Sequence, residues 1–378
     1  NPVSVTGTNS TAPVTLWSNA DATGGGAVSL GYYTDVITQG AAIKIGGSTA
    51  AADTEPTGYA EGSGATYCDG VNIGTVQVAT DSNKIWSNGG DITIRGKNTN
   101  NAGSCMGIKV FSGANVNSGA GAIVLDGIAA GPTGGNNGHG VELNWNGGYN
   151  TTITSADPTG TAISISGRSN GTSTNGRGIV EWTGSATSRT TISATAGGNI
   201  SLVGSPSSGS TTSITLNYTD IFAKGGTITL DGGSQQVRLA ENSGSNTIGG
   251  SASNSMSGDI TIKADKVQFG TVTGSAAFQN ASKLYVISNA ITFNGAQVMD
   301  TGMSVANVGY MQVGLATNTA DITVSGTNSV AGNIDITGGA VVIGGNQTTT
   351  NSGNITVTAT GAYSGAGALN AAGKVVIS

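Results

Sequence analysis

The chain has 378 residues, 64 of them glycine, and only 9% are charged, against about 25% in an ordinary soluble domain. Its formal charge of −6 and its 14 thinly spread Lys and Arg residues give no cluster able to neutralise phosphates, so no nucleic-acid partner is expected. No apolar run is long enough to span a bilayer as a helix.

Residues 1–90 are the least regular part. Apolar–polar–apolar triplets stand at Val14-Thr15-Leu16, Val28-Ser29-Leu30, Ile43-Lys44-Ile45 and Val71-Asn72-Ile73, between long loops rich in Ala, Thr and Gly. Strict alternation sends both aliphatics of a triplet to one face and the central residue to the other, which predicts short strands. Cys68 and Cys105 lie 37 residues apart in similar glycine-flanked loops. A surface disulfide joining adjacent turns of a coil is the favoured reading, with two free thiols as the alternative. The first implies an oxidising compartment.

Residues 91–274 carry the pattern at its sharpest. Gly90-Asp91-Ile92-Thr93-Ile94 opens it and Gly258-Asp259-Ile260-Thr261-Ile262 nearly repeats it. Within 198–233 three copies follow 14 residues apart, at Ile200, Ile214 and Ile228. Residues 275–313 are poorer in Gly and hold Met299, Met303 and Met311; thicker, more apolar turns are predicted there, with a small insertion as the alternative. The pattern returns over 314–378, in Gly332-Asn333-Ile334-Asp335-Ile336 and Gly353-Asn354-Ile355-Thr356-Val357, and runs to an uncapped end. What recurs is G-[DN]-I-x-[IV], a strand and its corner.

No long segment shows helical periodicity, so the chain reads as all-β. A triplet cannot bury its apolar face alone. Copies must stack in register, which predicts a parallel β-helix (β-solenoid) with aliphatic ladders inside, Asn and Thr ladders beside them, and Gly at corners with positive φ. Turns of roughly 20 residues would give about 19 turns and a rod near 90 Å long, at the usual ~4.8 Å between strands.

Candidates for chemistry are few. Asp53 and Glu55 are the closest acidic pair, and Asp259, Lys263, Asp265 and Lys266 the densest charged group; solvated loops and strand edges are the favoured reading of both. His139, with Glu142, Trp145 and Tyr149 following, reads as an incidental surface loop, with a sugar-binding ledge as the sharper alternative. A single His and the absence of a G-G-x-G-x-D run give no metal site, and no cofactor is predicted. The central triplet position holds Thr93, Thr215, Thr229, Thr261, Thr323 and Thr356 but also Lys109, Glu142, Arg238, Tyr285 and Asp335. That mixture predicts a solvated face, not an ice-binding one.

Through the signature at 90–96, 198–233, 258–263 and 332–378, over about three quarters of the chain, the sequence resembles the filamentous haemagglutinin-type adhesins of two-partner secretion and their autotransporter relatives. The resemblance implies a right-handed parallel β-helix displayed on, or released from, a Gram-negative surface. It implies no activity. The Asn-Pro- and Asn-Gly-rich secretion motifs of that family are missing, so a fragment or mature piece is expected. The predicted function is an extracellular adhesive stalk or a fibre that self-associates end to end or laterally, with a host-surface or matrix carbohydrate or protein as partner. A polysaccharide-active β-helix enzyme is the alternative.

Overall fold

The structure, a computed structural model, describes residues 4–6, 12–18, 26–31, 33–50, 53–63, 68–74, 83–100, 105–130, 137–145, 148–181, 184–240, 245–249, 257–269, 275–279, 284–293, 303–306, 310–313, 321–324, 328–330 and 332–378. Every regular element among them is a strand, and the chain forms two compact units, Asn1–Ile214 and Thr215–Ser378. Each is a parallel β-helix, as the alternating triplets require.

In the first unit three ladders run along the coil, and one turn adds a fourth strand, Ala60–Gly62, paired with the end of Ile92–Asn98. The first ladder stacks Val14–Trp17, Ile43–Gly46, Ile92–Asn98, Ile123–Ala129, Thr161–Ser169 and Asn199–Ser205. The second stacks Val28–Leu30, Val71–Ile73, Ile108–Phe111, Val141–Trp145 and Ile179–Glu181. The third stacks Ser4–Thr6, Asp35–Ile37, Asn83–Trp86, Ala114–Gly119, Thr151–Ser155 and Thr190–Ala194. Register places like on like: Ile43, Ile92, Ile123, Ile163 and Ile200 form one column, all fully buried. Burying each such side chain is worth roughly 1.5–3 kcal/mol.

The turns are longer than the expected twenty residues. Along that column the steps are 49, 31, 40 and 37 residues, because loops between strands lengthen each circuit. In the second unit the column Ile228, Ile260, Leu284, Met311, Ile334, Ile355, Val375 steps by 32, 24, 27, 23, 21 and finally 20 residues. The chain therefore makes fewer turns than nineteen. The 14-residue repeat is likewise no turn: Ile200 stacks on Ile163 in the first ladder, whereas the Ser213 carbonyl before Ile214 receives the Gly178 N–H of the second.

Within 275–313 the described strands continue the coil. Leu284–Phe293 pairs along its length with Ile260–Phe269, and both ten-residue strands serve two ladders at once. Met311 is buried, while Met299 lies outside the described residues.

The structure explains the Asp or Asn of the recurring signature. Its side-chain oxygen accepts the backbone N–H at the equivalent position one turn on: Asp91 from Ala122 (2.9 Å), Asp321 from Ala340 (2.8 Å), Asn333 from Asn354 (2.9 Å) and Asn354 from Lys374 (2.8 Å). Ser and Thr do similar service at a buried corner. Thr38 donates to the Ser87 carbonyl (3.0 Å), Ser87 to that of Ser118 (3.0 Å) and Ser155 to that of Gly121 (2.8 Å). These Ser and Thr hydroxyls bond turn to turn, so the coil buries them without the cost of an unmade hydrogen bond.

Glycine has a second use besides the corners. Gly96, Gly127, Gly167 and Gly204 share one register column of the first ladder, and Gly70, Gly107, Gly140 and Gly178 immediately precede strands of the second. A Cβ on Gly127 would stand 2.1 Å from the Gly140 oxygen, and one on Gly140 would stand 2.1 Å from the Arg168 nitrogen. Here the two ladders touch backbone to backbone. The positive-φ corners occur too, at Gly40 and Gly113 among others, but the seam glycines are set by close approach.

Candidate functional site

The outward column of the second ladder passes through Asn72, Lys109, Glu142 and Val180, which stand in register. The triplet pattern predicts a solvated face here. The structure corrects that: Glu142 and Val180 are fully buried and Lys109 nearly so. Thr215 is fully buried as well, whereas Thr93, Thr229 and Thr261 remain partly exposed. Alternation tells which way a side chain points, but not what folds back over it.

Cys68 and Cys105 are joined in a disulfide with Cα atoms 5.5 Å apart, but not at the surface as expected, since Cys105 is buried. They precede Val71 and Ile108, which pair in register, so the bond is a rung between consecutive turns. It holds Asp69 against Met106, whose N–H donates to Asp69 Oδ1 (2.7 Å). The other oxygen, Oδ2, meets Lys109 Nζ at 2.9 Å. Only 11% of the Lys109 side chain and 9% of the Asp69 side chain are exposed, which makes this a buried pair. Lys109 Nζ also lies over the Trp145 ring, 4.9 Å from its centroid, and Asn98 Nδ2 ties down the Cys105 carbonyl (2.6 Å).

His139 belongs to the same buried group, not to a surface loop or sugar ledge. It is fully buried; its Nδ1 accepts the Arg177 N–H (3.2 Å), and its own N–H points to Met106 Sδ (3.3 Å). Burial first, then the positive charges of Arg177 and Lys109, push its pKa from 6.5 down to about 3. Between those values an unfolded chain binds a proton that the native chain refuses. His139 therefore favours the fold fully above about pH 6.5, and this contribution falls as pH drops towards 3, by up to about 1.4 kcal/mol per pH unit. Urea midpoints followed from neutral to mildly acid pH should fall more steeply for the native chain than for His139→Gln. Parallel slopes would refute it.

The other candidates are held by scaffold bonds. Asp53 Oδ2 accepts from the Thr57 hydroxyl (2.6 Å) and from the Thr49 and Ala50 N–H groups (2.7 and 3.0 Å), and these bonds pull its pKa down to about 2. Its neighbour Glu55 pairs with Lys44. Lys263 reaches Asp231 (3.4 Å), the Asp259 carbonyl receives the Ile228 N–H (3.0 Å), and the side chains of Asp265 and Lys266 lie outside the described residues. Tyr149 contributes its carbonyl to Ser112 and Ser188 (3.1 and 2.8 Å).

One constellation has no counterpart in the sequence reading. Tyr59 Oη donates to Asp126 Oδ2 (2.5 Å), while Arg168 Nη2 reaches Tyr59 Oη (2.7 Å) and Asp126 Oδ1 (3.1 Å). Burial and then Asp126 raise the Tyr59 pKa above its ordinary value. These residues lie 42 to 109 positions apart, and no local spacing signals them. Lys109 and Glu142 did carry a signal, opposite charges at the centre of consecutive second-ladder triplets. Compared with family models, with curated proteins and with solved structures, the chain has no match.

Proposed function

We propose that this chain is part of an extracellular adhesive stalk or self-associating surface fibre of the filamentous haemagglutinin kind, whose β-helix is its working part. The observation that carries this is where the acids go. Among the described residues at least eleven acidic side chains bond to their own scaffold: Asp35, Asp53, Asp69, Asp91, Asp157, Asp321, Glu55, Glu61, Asp126, Glu181 and Asp231. They meet backbone N–H groups, hydroxyls or cations and stitch loops and turns together, which suits a load-bearing rod. The disulfide fits export to an oxidising compartment.

The test pairs electron microscopy of purified protein with its binding to host cells and matrix glycans. Fibres or saturable binding support the reading; dispersed particles that bind nothing would overturn it. The Tyr59–Asp126–Arg168 constellation favours the second reading, a polysaccharide-active enzyme. Polysaccharide cleavage abolished by Asp126→Asn would establish that one instead.

A further inference from the structure

We propose that Lys109 and Asp69 form an intramolecular amide, a covalent rung between two consecutive turns of the coil. Four observations converge. The amine nitrogen and carboxyl oxygen already lie 2.9 Å apart on side chains about nine-tenths buried. The Met106 N–H donates to Asp69 Oδ1 (2.7 Å), the oxygen that would carry negative charge in a tetrahedral intermediate. Glu142, fully buried, is the register partner of Lys109 on the next strand. The Trp145 ring stands beside the amine and helps shield it from water.

The chemistry balances without any co-reactant. The ammonium of Lys109 passes a proton to Asp69 Oδ2, leaving a neutral amine and a carboxylic acid. The amine lone pair attacks Asp69 Cγ, the new N–C bond forms, and the charge on Oδ1 is met by the Met106 N–H. Glu142, the register partner of Lys109 on the next strand, is assigned the transfer of a proton from the nitrogen to the departing oxygen. The Cγ–Oδ2 bond then breaks and one water leaves, so ammonium and carboxylate have become amide and water. Free in solution this condensation does not proceed. Groups fixed at contact distance reach effective molarities of about 10⁵–10⁸ M, and a site that excludes water resists the reverse hydrolysis. The Cys68–Cys105 bond supplies the positioning, since it fastens the residue before Asp69 to the residue before Met106.

The bond stands or falls independently of the adhesive reading, and the wild-type protein tests it. After full reduction, the intact chain should weigh one water less than its sequence. A tryptic digest of reduced and alkylated protein should contain a branched species in which residues 45–84 are joined to residues 98–168, with Lys109 uncut. Reduction matters because the disulfide links the same two segments. A full sequence mass, with 98–109 and 110–168 released as separate linear peptides, would overturn the proposal. Glu142→Gln, in a chain that still forms the disulfide, should lose the branched species, whereas branching at the wild-type level would remove Glu142 from the reaction. Asp69→Asn should branch with loss of ammonia in place of water, and Lys109→Arg should not branch at all.

Discussion

Gly140→Ala should lower the stability of the first unit by about 3 kcal/mol or more, the upper range for overpacking a close-packed site. The added methyl would meet the Arg168 nitrogen at 2.1 Å and the carbonyl carbon and Cα of Gly167 at 2.5 and 2.6 Å. None of these is the end of a flexible side chain. Relief requires that the first and second ladders move apart, and the glycine column continues through Gly107 and Gly178 on either side. Gly31→Ala is the control, because nothing lies closer than 4.0 Å to its new methyl, and it should stay within about 0.5 kcal/mol of wild type. Urea midpoints with an unchanged m-value would measure both. Equal midpoints for the two variants would show that the seam is not tight.

In the Glu142→Gln background, in which no amide forms, Lys109→Met should cost about 3–5 kcal/mol, the usual penalty for removing one partner of a buried ion pair. Asp69, 7% exposed, would keep the Met106 N–H but lose its cation, and the packing of the amine on Trp145 would go with it. Adding Asp69→Asn should recover part of the loss, since no buried carboxylate then remains without its charge partner. The double-mutant cycle isolates the pair from the packing of the lysine stem. If Lys109→Met left that background's stability unchanged to within about 1 kcal/mol, the pair would be behaving as a surface bridge.

The legible part of this molecule is that which repeats locally. Triplets such as Ile92-Thr93-Ile94 and Ile228-Thr229-Leu230 are strands with both aliphatics buried and the Thr outward, as alternation requires. The length of a turn was not legible. A triplet fixes the strand but says nothing of the loop that follows, and those loops take the step from 20 to 49 residues. The signature residues Asp91, Asn333 and Asn354 were visible as a pattern without a reason, because their partners sit one turn away. The same holds for glycine. Composition announced its abundance, while the choice between a corner such as Gly113 and a seam position such as Gly140 depends on which backbone lies opposite.

By itself, then, the sequence determined an all-β stack of short strands, since period-two alternation and the need to bury small apolar faces leave a chain of this composition little else. Only the tertiary structure decided the rest. It brought Cys68 to Cys105, Asp69 to Lys109 and Met106, and Tyr59 to Asp126 and Arg168, and it covered Glu142 and His139. Each of these depends on contact between turns whose separation along the chain varies with loop length. The outward face of a strand is open or covered according to what neighbouring segments do, and no local period encodes that.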